Sequence, residues 1–316
     1  MSFIRTLSAR SARPTISKLR VASPMSSRFS TYVITPSQLA LALDANPPVT
    51  TSTHSRIVPL SAEWFLPTDP RTGHSEFQKC RIPTARFFDL DDIKDAASPY
   101  PHMLPSAPVF ASAMGKLGIR RADTVVVYDS PSLGIFSAPR AAWTLRVFGH
   151  EKVHLLNNFK VWVEEGLPIE AGTPEVHEQT VYEVVAPDLR MVADFEEVKV
   201  LAEMRLEGGK SDVQLLDARP GGRFKGVDPE PRPGLSSGHV PGAISVPFSD
   251  LVDPVTKKLR SGKELREILL RKGVDPSEGV EKKLMCGTGV TAVVIETALD
   301  LAGIPGKRVV YDGSWT

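Results

Sequence analysis

Four strand-like segments of this chain recur in the same order at a nearly constant spacing, and that repetition limits the fold more than any other feature. The apolar stretch that reaches Ser61 matches the one that reaches Asp217. Ile82, in Cys80-Arg81-Ile82-Pro83-Thr84-Ala85, matches Val240, in Gly238-His239-Val240-Pro241-Gly242-Ala243. The Val-rich run into Asp129 matches the run into Cys286, and Asn157 matches Asp312. The separations are 156, 158, 157 and 155 residues. Order and spacing kept together indicate tandem copies of one unit. Within each copy, short Val/Ile/Leu strands alternate with amphipathic stretches expected to be helical, such as 138–148, 195–205 and 263–272. That alternation predicts an α/β fold with a mainly parallel sheet flanked by helices and ligands at the carboxyl ends of its strands. The copies are expected over 34–170 and 191–316, joined by a Pro- and Gly-containing linker over 171–190.

The chemistry concentrates in Met285-Cys286-Gly287-Thr288-Gly289-Val290-Thr291. Residues 282–285 read as a short strand, and the apolar run 290–301, stopped by Gly303 and Pro305, reads as a helix. Cys286 therefore lies on a tight loop at a helix N-terminus. Unpaired N–H groups and the positive end of the helix dipole favour an anion there, hence the thiolate that attacks sulfur or carbon. Gly287 and Gly289 let the backbone curl around the sulfur, while Thr288 and Thr291 offer hydroxyls to an anion or a helix cap. The plain alternative is a buried structural cysteine at a strand end.

Cys-Gly-Thr-Gly-Val-Thr resembles the active-site loop of the rhodanese superfamily, in particular its 3-mercaptopyruvate sulfurtransferase branch. The thiosulfate-using branch typically carries basic residues after the cysteine, where this chain has Gly287 and Thr288. Protein tyrosine phosphatases need an arginine to close the loop, and the first arginine after Cys286 is Arg308. The resemblance implies tandem rhodanese-like domains with a Cys286 persulfide as intermediate. It assigns substrate binding to Arg223 and Arg232, in Gly-Arg-Phe and Glu-Pro-Arg motifs, and to the loop residues Gly287, Gly289, Val290 and Thr291. Guanidinium groups suit a keto acid's carboxylate. It also implies a proton relay of Asp91, His102 and Thr288; the alternative for His102 is that it only ties down a Pro-rich loop. Asp217 and His239 are expected to brace strand ends, and Cys80 to be a packing residue or incidental thiol. Asp129 stands where the second copy has Cys286, and a carboxylate cannot hold transferable sulfur, so the first copy is expected to be non-catalytic. Arg81 replaces a histidine usual in the family, and Asn157-Asn158 an Asp-Gly-Gly turn; both are expected to alter packing only. Relatives are expected to continue past Tyr311–Thr316, a difference that bears on closure of the catalytic domain.

The remaining composition narrows the setting. At 316 residues with 41% hydrophobic and 24% charged residues, the chain has enough apolar residues for two cores, and no run approaches the roughly 18 apolar residues of a membrane span. Residues 1–30 hold Arg5, Arg10, Arg13, Lys18, Arg20 and Arg28, many serines and no acid, the composition of a mitochondrial transit peptide; a disordered basic tail is the alternative. Without those six charges the net +1 becomes −5, which argues against nucleic-acid binding. A matrix location follows from the leader, with the cytoplasm as a second site. Two cysteines make neither a disulfide framework nor a four-thiolate metal site. No metal or organic cofactor is expected. The expected activity moves sulfur from 3-mercaptopyruvate to a thiol acceptor such as thioredoxin, or to cyanide, and releases pyruvate. Thiosulfate:cyanide transfer and a sulfur relay for tRNA thiolation are the alternatives.

Overall fold

The computed structural model describes residues 29–46 and 55–316, so the expected leader lies almost wholly outside the described residues. Two five-stranded sheets form, and every strand pairing within them is parallel. The first comprises β1 (Val33–Ile34), β2 (Ile57–Ser61), β3 (Arg86–Phe87), β4 (Thr124–Tyr128) and β5 (Val153–Leu156), in the spatial order β1-β5-β4-β2-β3. The second comprises β6 (Val192–Ala193), β7 (Val213–Asp217), β8 (Ile244–Ser245), β9 (Glu281–Met285) and β10 (Arg308–Tyr311), in the order β6-β10-β9-β7-β8. The two orders are the same series shifted by five strands, as the spacing of the sequence repeat requires.

The helices of the first half are α1 (Pro36–Asp44), α2 (Gly73–Lys79), α3 (Ala107–Lys116), α4 (Ala138–Val147) and α5 (Phe159–Glu164). Those of the second are α6 (Phe195–Leu206), α7 (Gly221–Phe224), α8 (Phe248–Leu251), α9 (Gly262–Arg271) and α10 (Ala292–Leu301). Local chemistry fixes several starts: Thr35 with Gln38, Asp194 with Glu197, and Ser261 with Glu264 each close a capping box. β4 is buried along its whole length and apolar from Val125 to Tyr128, as a strand with helices on both sheet faces requires, and β5 is equally buried. β9 is the exception, since Lys282 and Lys283 lie in a buried strand. Their stems pack inside while the Lys282 ammonium donates to the carbonyls of Ser277 (3.2 Å) and Pro305 (3.0 Å), and that of Lys283 pairs with Glu281 at 2.9 Å.

Residues 171–190 lack regular structure up to a 3₁₀ turn at Leu189–Met191, yet they do not hang free. The Thr180 N–H donates to the Gly115 carbonyl (2.9 Å), its hydroxyl to that of Ile119 (2.7 Å), and the Asp188 N–H to that of Val147 (2.7 Å). Tyr182 is buried, with its hydroxyl 2.8 Å from His150 Nδ1. Arg81, the departure at 81, is buried over the Phe77 ring and donates to the Gly172 carbonyl at 2.7 Å. Asn157 does more than pack within its own copy: its side-chain Oδ1 accepts the Leu259 N–H of the second half at 2.9 Å. Cys80 ends α2 half-buried, and burial pushes its thiol up.

Phe110 on α3 stacks on Phe148 with centroids 4.3 Å apart and is 1% exposed. Phe110→Ala should lower unfolding free energy by about 3–5 kcal/mol in chemical denaturation. Val181→Ala, at a fully exposed linker position, should change it by no more than about 0.5 kcal/mol.

Candidate active site

Cys286 follows β9, the middle strand of the second sheet, and is 2% exposed. Its N–H donates to the Ser314 hydroxyl (3.1 Å), its carbonyl accepts the Trp315 N–H (3.1 Å), and the Thr316 hydroxyl donates to the Gly287 carbonyl (3.1 Å). The residues after β10 therefore brace the loop from behind, a role the sequence did not reveal. Gly289 turns the loop with φ +75°, and a Cβ there would sit 2.8 Å from an Arg140 guanidinium nitrogen. α10 begins at Ala292, two residues later than expected, and Thr291 makes no side-chain cap bond. Among the described residues, the N–H groups of 287–292 donate to no protein acceptor. They line the positive end of α10.

The equivalent loop of the first half displays what such a loop holds. Asp129 follows the middle strand β4, and its carboxylate accepts the N–H groups of Phe136 (2.8 Å), Ser137 (3.1 Å) and Ala138 (2.9 Å) and the Ser137 hydroxyl. Burial still pushes its carboxyl up to about 6, against those donors. The nest is an anion site whose occupant is built into the chain.

His102 reaches the second-half loop from the first half, 186 residues away in sequence. Its Nδ1 lies 3.0 Å from the Thr288 hydroxyl and its Nε2 3.1 Å from Asp91 Oδ1. A carboxylate only accepts, so Nε2 carries the proton and Nδ1 accepts the Thr288 O–H. The Trp64 indole N–H holds the other Asp91 oxygen at 2.9 Å, and its ring meets the His102 ring edge-on at 4.8 Å. Burial lowers the His102 pKa below its ordinary 6.5, with Asp91 opposing the shift, while the bond to His102 holds Asp91 below the usual carboxylate range. The pair is thus neutral imidazole beside carboxylate at neutral pH. His102 has φ +62°, a conformation that costs a non-glycine residue about 1 kcal/mol or more. Arg140, buried on α4, holds it there: one nitrogen donates to the His102 carbonyl at 2.6 Å and lies 2.6 Å from Asp312 Oδ1. Asp312 Oδ2 in turn accepts the Leu104 N–H at 2.7 Å.

The two arginines differ. Arg223 on α7 is committed on one side to Glu230 (2.7 and 3.0 Å), and a Cβ on Gly287 would lie 3.2 Å from it. Buried Glu230 also binds Arg219, which forks onto Asp217 and stacks over the Trp315 ring at 4.1 Å. Arg232 has no ion pair or hydrogen bond among the described residues; half-buried, it has its pKa lowered by that burial, with the Cys286 thiol and Asp91 opposing. Asp217 thus braces Arg219, while His239 stacks flat on Phe224 at 4.2 Å and bonds its carbonyl. Val290 and Thr291 are buried behind the loop. Arg140, Asp312, Trp64, Arg219 and Ser314 were not singled out from the sequence. An arginine among apolar neighbours, Pro139-Arg140-Ala141-Ala142, is the sequence signal that could have found one of them. No metal-ligating cluster exists among the described residues.

Arg140→Met should destabilise the protein by about 3–5 kcal/mol in denaturant titrations, because it strands the buried Asp312 carboxylate. Gly289→Ala should cost at least about 1–3 kcal/mol by the same measurement, from backbone strain, with the close approach of the new Cβ to Arg140 adding to it.

No family model matches the chain. It is 41% identical over 262 residues to the probable 3-mercaptopyruvate sulfurtransferase of Schizosaccharomyces pombe, covering 83% of this chain and 86% of that protein. It is 41% identical over 276 residues to the thiosulfate sulfurtransferase TUM1 of Saccharomyces cerevisiae, covering 83% and 88%. The crystal structure of SseA from Escherichia coli, reported for the rhodanese fold of 3-mercaptopyruvate sulfotransferases, matches with a TM-score of 0.74 at 33% identity, over 91% of this chain and 100% of that one. A doubled parallel sheet, a cysteine loop on its second copy and this degree of identity over most of the length agree: the chain belongs to the rhodanese-fold family of 3-mercaptopyruvate and thiosulfate sulfurtransferases.

Proposed function

We propose that the chain transfers sulfur from 3-mercaptopyruvate, with Cys286 as nucleophile. The thiolate attacks the substrate sulfur, an S–S bond forms, and the C3–S bond breaks with its electron pair leaving on carbon as the enolate of pyruvate. Arg232, with no protein partner, binds the carboxylate, and the free edge of Arg223 faces the developing enolate oxygen. The N–H groups of 287–292 hold the persulfide anion, as their counterparts hold Asp129. The proton of the substrate thiol passes through Thr288 and His102, with Asp91 keeping the imidazole in its Nδ1-accepting tautomer, and is returned to C3 of the enolate. A thiol acceptor such as reduced thioredoxin, or cyanide, then takes the outer sulfur, and Cys286 returns as thiolate.

The observation that supports this reading most is the Thr288–His102–Asp91 chain of hydrogen bonds ending on the cysteine loop. Proton movement is needed when an enolate leaves, and a sulfite leaving group does not need it. Thiosulfate is the second reading, favoured by the name of the S. cerevisiae relative and by the positive charge of Arg223 and Arg232. We place the enzyme in the mitochondrial matrix from the acid-free, Arg- and Ser-rich residues 1–28, which lie outside the described residues.

Steady-state kinetics with both donors test the proposal. Cys286→Ser should abolish transfer from either. Arg232→Ala should lower kcat/KM for mercaptopyruvate by about 10–100-fold, the worth of a charged hydrogen bond; retained activity would remove Arg232 from the site. The His102 relay predicts a pH dependence with a definite sign. Neutral imidazole is the working form, so activity should fall as pH drops through a pKa below 6.5. Asp91 raises that pKa, so in Asp91→Asn the acid limb should move to lower pH; a shift to higher pH excludes the relay.

A further inference from the structure

Trp64 lies just beyond the end of β2, is 7% exposed, and connects the first-half nest to the cysteine loop. It is tied to the nest twice. Its backbone N–H donates to the Ser137 hydroxyl oxygen at 3.1 Å, and that hydroxyl in turn donates to Asp129 Oδ1 at 2.5 Å. Its ring stacks on that of Phe136, with centroids 6.1 Å apart and planes 6° from parallel, and the Phe136 N–H is itself held by Asp129 at 2.8 Å. On its other side the indole N–H donates to Asp91 Oδ2 at 2.9 Å, while Asp91 Oδ1 faces His102. Asp129, Ser137, Trp64, Asp91, His102 and Thr288 therefore stand in one series, each joined to the next by a hydrogen bond.

We propose that Trp64 is a positioning residue for sulfur transfer, and that the Asp129 nest serves the chemistry at Cys286 by fixing Trp64. The proposal rests on the His102 relay described above. Asp91 is the loose member of that relay: its side chain is 57% exposed, and among the described residues its carboxylate accepts hydrogen bonds from Trp64 and His102 alone. A carboxylate so open to water turns among its rotamers unless its surroundings select one, and ordering it costs entropy. The single N–H of His102 leaves it free to swing about that one bond. The buried indole supplies the second point of attachment, and it is a rigid one, held at its backbone and at its ring by the loop that Asp129 organises. With Asp91 fixed, the imidazole keeps Nδ1 toward Thr288, where it can take up a proton. Trp64 thus acts through Asp91 and not on the substrate, and the carboxylate that plugs the first nest is the base on which the relay of the second half is mounted.

A double-mutant cycle on the full chain, read by steady-state kinetics with 3-mercaptopyruvate, tests this. Trp64→Phe keeps a ring beside Phe136 and His102 and removes the N–H. It should lower kcat at least about fivefold, a part of the ~10²–10⁴ that a positioned acid–base group contributes, and leave KM within about twofold. Ser137→Ala cuts the tie to Asp129 and should lower kcat in the same way by a smaller factor; it keeps the Trp64 ring and carries the test if Trp64→Phe does not fold. In an Asp91→Ala background neither substitution should cost anything further, because the residue through which both act is gone. Melting temperatures separate lost turnover from lost structure. An equal loss of kcat with and without Asp91, a loss carried by KM, or an unchanged kcat in folded Trp64→Phe would overturn the proposal. An unchanged kcat in Asp91→Ala would remove the relay itself, and the proposal with it.

Discussion

The buried Arg140 guanidinium, shared between the two halves, is the interaction on which the site depends. It ties the His102 carbonyl, the Asp312 carboxylate at the end of β10 and the neighbourhood of Gly289 into one unit. A buried ion pair is seldom a net source of stability, since desolvation offsets most of the attraction. Its value here is geometric. Asp312 also takes the Leu104 N–H, so the loop that carries His102 is held on both sides of a strained residue. Without that hold, nothing in the local sequence would keep His102 left-handed and aimed at Thr288.

Both halves present the same device, a loop after the middle strand that turns backbone N–H groups inward at the start of a helix. In the first half the chain supplies the anion itself, Asp129, and the nest is closed to any reaction. In the second half a sulfur stands in that place and the donors are left for what the sulfur carries. The two loops thus differ at the position that faces the nest, a carboxylate in one half and a thiol in the other. The surroundings of Cys286 hold arginines and a histidine, whereas the cleft beside the Asp129 loop is lined by phenylalanines and a lysine.

Support behind the arginines is layered in a similar way. Asp217 and Glu230 grip Arg219, Arg219 lies on Trp315, and Glu230 passes its second oxygen to Arg223. Each buried charge has an opposite partner with good geometry, which is the condition for charges to persist in a protein interior. Arg232 stands outside this network, and that freedom suits it to an incoming anion.

The doubled α/β plan, the strand ending at Cys286 and the helix after it were legible in the sequence, because strand and helix periods are local quantities. The linker's docking and the start of α10 were not, since a segment such as Thr180 to Tyr182 is fixed by the carbonyls it meets rather than by any pattern of its own. Motif resemblance brought Asp91, His102, Thr288, Arg223 and Arg232 together, but it said nothing of Arg140, Trp64 or Ser314. By itself the sequence determined which residues could do the chemistry: one thiol between glycines, two arginines in their motifs and a histidine in a Pro-rich stretch. Only the tertiary structure decided that Thr288 meets a histidine 186 residues away and that Arg140 secures the meeting. The physical reason is that these contacts depend on how two separately folded sheets pack, and packing is set by many buried side chains at once.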